Sequence, residues 1–282
     1  MNRAKLGVRR VTATVGHATS ELRMAPDFLI VGAQRCGTTS LFRYLAGHPV
    51  VVPPLFQKGI HFFDLNYGRG ARWYRGQFPV RSIADRRVAG TGRRAITGEA
   101  SPYYVFHPLA ADRIARDLPE AKLIVLLRDP VERAFSAHRQ ETARGFETEP
   151  FEQALELEET RLAGELERIH ADPAYVGFHH QHHAYLARGR YAEQLQRLFD
   201  LVGQERLLVL ESADFFATPQ AVWQRVLEFL GLPAWYPPVF GRHNAQAGAP
   251  LPDRLRERLE EYFEPHDEAL AALLGEVPTW RR

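Results

Sequence analysis

The uninterrupted apolar run Phe28-Leu29-Ile30-Val31 passes straight into Gly32-Ala33-Gln34-Arg35-Cys36-Gly37-Thr38-Thr39, after which Leu41, Tyr44 and Leu45 recur at helical spacing. A short apolar run closed by a turn reads as a strand buried on both faces, the habit of parallel sheets. Parallel strands need crossover connections, usually helices. The segment therefore points to an α/β fold, and the rest of the chain repeats the alternation. Residues 96–100 read as a second strand ending at Glu99, 108–118 as a helix, and Lys122-Leu123-Ile124-Val125-Leu126-Leu127 as the clearest strand of all. A helix is expected at 131–144, an amphipathic one at 191–202, a late strand at 207–210 and a helix at 217–230. Two helices, at 253–263 and 266–274, are expected to close the chain. The basic stretch 81–94 and the acidic, helix-prone stretch 146–170 both read as surface. The expectation is a three-layer α/β fold, a central and mostly parallel sheet flanked by helices.

With 282 residues the chain is long enough for one large domain. A single domain over 25–282 is expected, preceded by a flexible arm at 1–24 that is polar, basic and without the apolar stretch of a secretory signal. No run of 18 apolar residues exists, so no membrane span is expected and a cytoplasmic location follows. Thirty-six basic against 34 acidic residues leave a net charge of +2, so no global field marks nucleic acid or an anionic membrane as partner. The single cysteine, Cys36, excludes an internal disulfide and a cysteine-based zinc site. Only Lys5, Lys58 and Lys122 are lysines. Any anion site must then use guanidinium or one of these three.

Two segments carry chemistry. Gly32 to Thr39 has the glycine spacing of a phosphate loop between a strand and a helix, where backbone N–H groups and a helix N-terminus converge on an anion. Thr38 stands where nucleotide triphosphatases carry lysine, which argues against a triphosphate; Arg35, inside the loop, can supply the cation. An ordinary glycine-rich turn is the alternative. In the second segment, Leu127-Arg128-Asp129-Pro130-Val131-Glu132-Arg133-Ala134-Phe135-Ser136, an arginine sits at the carboxyl end of a central strand, where α/β sheets bind ligands. Ser136 lies about two helical turns further on. Arg128 and Ser136 either converge on one phosphate, or Arg128 simply pairs with Asp129 or Glu132.

Together these segments resemble the sulfotransferases that use 3′-phosphoadenosine 5′-phosphosulfate (PAPS), in the carbohydrate and heparan-sulfate branch with its bacterial relatives. Val31 to Leu41 looks like that family's 5′-phosphosulfate loop, and Leu127 to Ser136 like its 3′-phosphate motif. His48-Pro49, Lys58-Gly59-Ile60-His61-Phe62-Phe63-Asp64 and Gly98-Glu99-Ala100-Ser101-Pro102-Tyr103 recur between them in the family's order.

The resemblance implies a P-loop-like fold and transfer of a sulfuryl group from PAPS to a hydroxyl or amine of a carbohydrate or other small acceptor, leaving adenosine 3′,5′-bisphosphate, with no metal and no nucleic-acid partner. It implies donor binding by Gln34, Arg35, Cys36, Gly37, Thr38 and Thr39 at the 5′ end, by Arg128 and Ser136 at the 3′-phosphate, and by Arg242 in a late loop, Phe240 to Ala245. Cys36 lies near a helix N-terminus that can lower a thiol pKa. Arg35 falls where many members have lysine. The family often carries glutamate as general base at the position held here by Gly59, so His61 is the first candidate base and Glu99 the second. A packed histidine and a structural carboxylate paired with an arginine are the alternatives for those two. Lys58, His61 and Tyr103 are expected on the acceptor side. The cluster His179-His180-Gln181-His182-His183 reads as a surface or acceptor-cleft helix rather than a metal site. The competing functions are an ATP-dependent small-molecule kinase of P-loop type and a non-catalytic nucleotide-binding module; oligomeric state is left open.

Overall fold

In the computed structural model, which describes residues 15–241 and 250–282, the first apolar run is β1 (Phe28–Gly32), buried at every position. It lies inside a parallel four-stranded sheet of order β2-β1-β3-β4. The partners are β2 (Gly98–Ala100), β3 (Lys122–Leu127) and β4 (Leu207–Glu211). Expected strand 96–100 is shorter than its pattern, because Ile96 instead bridges Val51.

The chain leaves β1 for β2 on one side and then crosses to β3 on the other. Such a reversal opens a crevice at the carboxyl ends of the two central strands, where ligands of open α/β sheets bind. Both motifs emerge there. The loop after β1 leads into α1 (Thr38–Gly47), and Arg128 follows β3.

The other helices, in chain order, are α2 (Ala71–Arg75), α3 (Arg81–Val88), α4 (Ala110–Asp117), α5 (Pro130–Ala143), α6 (Phe151–Glu156), α7 (Glu158–Leu162), α8 (Glu165–Ala171), α9 (Phe178–His182), α10 (Tyr191–Val202), α11 (Ser212–Ala217), α12 (Pro219–Leu230) and α13 (Asp253–Leu274). Helix α5 starts sharply because the Asp129 carboxylate caps the N–H groups of Val131 and Glu132 and Pro130 takes the first turn. The main core gathers Leu41 and Leu45 of α1, Ile114 of α4, Leu195 and Leu198 of α10 and Trp223 of α12 around the strands. A smaller cluster joins Val131, Ala134 and Ala137 of α5 to Leu255, Leu259 and Phe263 of α13. Among the described residues no helix is long and apolar enough to cross a membrane.

Three expectations need correction. Residues 15–24 are no free arm: Met24 is fully buried, its N–H bonds to Pro79, and Arg23 donates to the Phe78 carbonyl. The closing pair of helices is one helix, α13, running through Pro265. Pro265 and Glu261 lie on its exposed side, where the carbonyl that loses its donor is open to solvent, while Leu259, Phe263 and Leu270 stay buried. The helix expected at 217–230 is α12, opened by Pro219, and the short α11 precedes it. The acidic 146–170 stretch is not simply surface. Glu147, Glu158 and Glu165 are buried, and Glu158 accepts the N–H groups of Tyr185, Leu186 and Ala187.

Candidate active site

The crevice is a cavity of about 1290 Å³. Its described lining includes Gln34, Arg35, Gly37, Thr38, Thr39, Lys58, His61, Tyr103, Arg128 and Ser136, so ten of the residues expected from sequence face one space. Arg242, with His243, Asn244 and Ala245, lies outside the described residues. Cys36 and Glu99 do not line the cavity.

The loop after β1 closes because Gly37 adopts φ +96°, a left-handed conformation that glycine enters freely, just before α1 begins. Arg35 adopts φ +71°, which is strained for a residue with a side chain. The result carries its guanidinium across to α5. Nε donates to Ser136 Oγ at 2.9 Å and Nη1 to Gln140 Oε1 at 2.9 Å. Arg128 reaches the same place, donating to the Arg35 carbonyl at 3.5 Å and pairing with Glu132 at 3.1 Å. Burial lowers the Arg35 pKa first, and the positive charge of Arg128 lowers it further. Two neighbouring guanidiniums that repel each other mark a place where an anion is favoured. Among the described lining residues seven side chains are basic and three acidic.

Cys36 turns inward and is fully buried, so burial pushes its thiol up to about 11 despite the nearby helix N-terminus. Only its backbone is available to the loop.

On the other wall, His61 sits at φ +54°, again a strained left-handed position. Its Nδ1 bonds to Asp64 Oδ2 at 2.8 Å, and Asp64 is buried. A carboxylate accepts, so Nδ1 carries the proton and Nε2 is left as an acceptor. Burial lowers the His61 pKa, but the Asp64 hydrogen bond and the charges of Asp64 and Glu99 outweigh it, and the net shift is upward. A Cβ placed on Gly59 would lie 2.8 Å from the Ala100 carbonyl oxygen and 3.4 Å from His61 Nε2. No side chain fits at position 59 without moving β2. The imidazole edge borders the volume such a side chain would enter.

Glu99 is not a base facing the cavity. It is fully buried and accepts from Ile60 N (2.8 Å), Ser101 Oγ (2.6 Å), Tyr104 OH (2.7 Å) and Tyr74 OH (3.0 Å). Among the described residues it pairs with no arginine. Ser101 Oγ in turn accepts from His61 N, and Tyr104 OH from Phe62 N. One carboxylate thus holds three successive backbone amides, 60 to 62, and with them the strained turn that carries His61. Replacing Glu99 with alanine leaves this buried set without its acceptor. The expected loss is about 3–5 kcal/mol of stability, read as a fall in the denaturant midpoint.

Lys58 lines the cavity and, among the described residues, forms no ion pair; burial first and Arg43 second lower its pKa to about 8. Tyr103 is buried under the Arg188 guanidinium, 4.7 Å from its ring centre, and bonds to His180 Nδ1 at 2.7 Å. Of the two places expected for the histidine cluster, the open surface is not observed, while Gln181 and His182 line the cavity. His180, His182 and His183 are buried, and His180 stacks on Phe106 with centroids 4.3 Å apart. His182 bonds to Glu141 and His183 to the Phe146 carbonyl, each at 2.8 Å. Among the described residues no group of three or more His, Cys, Asp or Glu converges as metal ligands would.

Several site residues escaped sequence reading. Gln140 lies four positions beyond Ser136 on α5, a spacing that puts it on the same helix face and was legible in principle. Arg188 donates to Gln34 Oε1 at 3.0 Å, while Gln34 Nε2 donates to Glu141 at 3.2 Å. Arg256 of α13 pairs with Glu132. Nothing local in the sequence announces these contacts.

With this geometry in hand, comparison with known proteins is informative. A model described as "Sulfotransferase family" matches residues 26–237. A sulfotransferase structure from Alicyclobacillus acidocaldarius is similar at 32% identity and TM-score 0.66, covering 92% of this chain and 100% of that one. The membrane-associated sulfotransferase kil1 of Dictyostelium discoideum is 24% identical over 93% of this chain and 68% of its own. Mouse heparan sulfate glucosamine 3-O-sulfotransferase 6 is 27% identical, with coverages of 92% and 74%. The chain spans only 31% of a third relative, the bifunctional heparan sulfate N-deacetylase/N-sulfotransferase 1 of Caenorhabditis elegans, at 25% identity.

Proposed function

We propose that this chain, which belongs to the sulfotransferase family, moves a sulfuryl group from PAPS to a hydroxyl or amine of a carbohydrate acceptor. The observation that carries the reading is the meeting of Arg35, Arg128 and Ser136, drawn from two separate motifs, at the switch-point crevice. The heparan sulfate enzymes among the relatives support the carbohydrate acceptor.

In this reading the N–H groups of residues 34–39 and the Thr38 and Thr39 hydroxyls hold the donor's 5′-phosphate. Arg128 and Ser136 hold its 3′-phosphate. The acceptor oxygen or nitrogen attacks sulfur in line as the bond from sulfur to the bridging oxygen breaks. The acceptor proton passes to His61 Nε2, and Asp64 stabilises the imidazolium that forms. Negative charge appears on the released 5′-phosphate, where Arg35 offsets it once the 3′-phosphate has taken its place on Ser136; a donor at a developing charge contributes about 3–4 kcal/mol. Lys58 and Tyr103 lie on the acceptor side. The close approach of the Ala100 carbonyl to Gly59 disfavours a side chain there and supports His61 as the base.

Adenosine 3′,5′-bisphosphate at 100 times its Kd stabilises the fold by about 2.7 kcal/mol. A rise in Tm of several degrees is expected, together with transfer of label from PAPS to members of a glycan panel. No shift and no transfer would refute the reading. A shift with ATP and Mg²⁺ alone would favour a kinase instead.

A further inference from the structure

The near-neutral total charge hides a division. Residues 1–94 hold 16 basic and 4 acidic side chains, and residues 95–282 hold 20 and 30. Most of the excess is concentrated between 69 and 94, where eight arginines meet a single acid, Asp85.

The structure puts the second half of that stretch on one end of the molecule. On α3, Ala84 and Val88 are buried while Ser82, Ile83, Arg86 and Arg87 face outward, and 89–94 continue fully exposed with Arg93 and Arg94. The stretch then enters β2 from its amino end, with Ala95 N bonded to Asp85 and Thr97 N to Asp27, the residue before β1. The active-site crevice lies at the carboxyl ends of the same strands. Five residues of β1 separate the two poles by about 15 Å or more. Arg86, Arg87, Arg93 and Arg94 therefore cannot serve the crevice. Among the described residues they form no ion pair; in the whole 69–94 stretch only Arg75 does, with Glu21.

The same end carries exposed aliphatic side chains. Ile83 is 60% exposed between the arginines of α3, and Leu22 is 64% exposed beside Arg23, which bridges Val80 immediately before that helix. Unpaired arginines around solvent-facing aliphatics suit a surface that offers both anionic headgroups and an apolar layer beneath them. A free polyanion satisfies only the charges. An enzyme seated this way would keep its crevice open to the aqueous side.

We infer that the α3 end of the molecule, Arg81 to Arg94 with Ile83 and Leu22, is a docking face for an anionic phospholipid membrane surface. It is distinct from the catalytic crevice and does not depend on the acceptor.

The test is co-sedimentation of the full chain with vesicles of phosphatidylcholine containing phosphatidylserine, against pure phosphatidylcholine. Binding to the anionic vesicles alone, released by added salt, is expected. Arg86→Glu/Arg87→Glu/Arg93→Glu should weaken it at least about tenfold, and Ile83→Ser should weaken it without changing the salt dependence. The triple lysine variant at the same arginines should still bind, and a loss there would overturn the idea. Equal binding of the glutamate variant, or of the wild type to neutral vesicles, would overturn it too. So would retention on a heparin resin without vesicle binding, which would make the partner a polyanion.

Discussion

Replacing His61 with asparagine is expected to lower kcat for sulfuryl transfer by about 10²- to 10⁴-fold, the contribution of a positioned general base. Asparagine keeps a donor near Nδ1 for Asp64 and removes only the acceptor that Nε2 presents, so the turn should survive. The wild-type pH profile should show an acid limb. His61 is held above the ordinary histidine value by Asp64, so its base form is lost as pH falls through that raised pKa, and the rate falls with it. Asp64→Asn removes the upward pull and leaves burial, which pulls down. The acid limb should then move to lower pH while kcat also drops, because the ring is no longer oriented. A purely structural Asp64 would leave the limb in place. If the His61→Asn variant turns over within about threefold of the wild type, well short of the range for a general base, His61 is not the base.

Arg128→Ala is expected to weaken adenosine 3′,5′-bisphosphate by about 10- to 100-fold, the range for losing hydrogen bonds to a charged group. The loss should be confined to ligands with a 3′-phosphate, so that adenosine 5′-phosphosulfate binds wild type and variant alike. Arg128→Lys should recover charge without the two-pronged geometry and fall between the two. Calorimetric titration of both ligands reads this directly. Equal weakening of both would mean that Arg128 acts by shaping the loop through the Arg35 carbonyl instead.

The half of the crevice built by the loop after β1 and by Arg128 was legible because its determinants are local. A glycine that permits φ +96°, an apolar run before it and a helix after it build the anion loop from contiguous residues. The strand that ends at Leu127 delivers Arg128 in the same way, and Ser136 follows from helical spacing. The catalytic half was less legible. Glu99 looked like a base because it ends a strand beside the pocket. Its role was settled by four donors that come from positions 60, 74, 101 and 104. For Cys36 the nearby helix N-terminus and burial pull the thiol in opposite directions, and burial dominates.

The α/β class, the parallel sheet and the strand–loop–helix frame of the two motifs were determined by sequence alone, since strand burial, loop conformation and helix register depend on near neighbours. Only the tertiary structure decided which polar groups face the cavity. That choice turns on contacts between residues far apart in the chain: Arg35 on Ser136, Glu99 beneath the His61 turn, and the Ala100 carbonyl against Gly59. The same holds for charge. The sequence totals nearly cancel, and it took the fold to set Arg86, Arg87, Arg93 and Arg94 at the pole opposite the crevice, because a sum carries no positions.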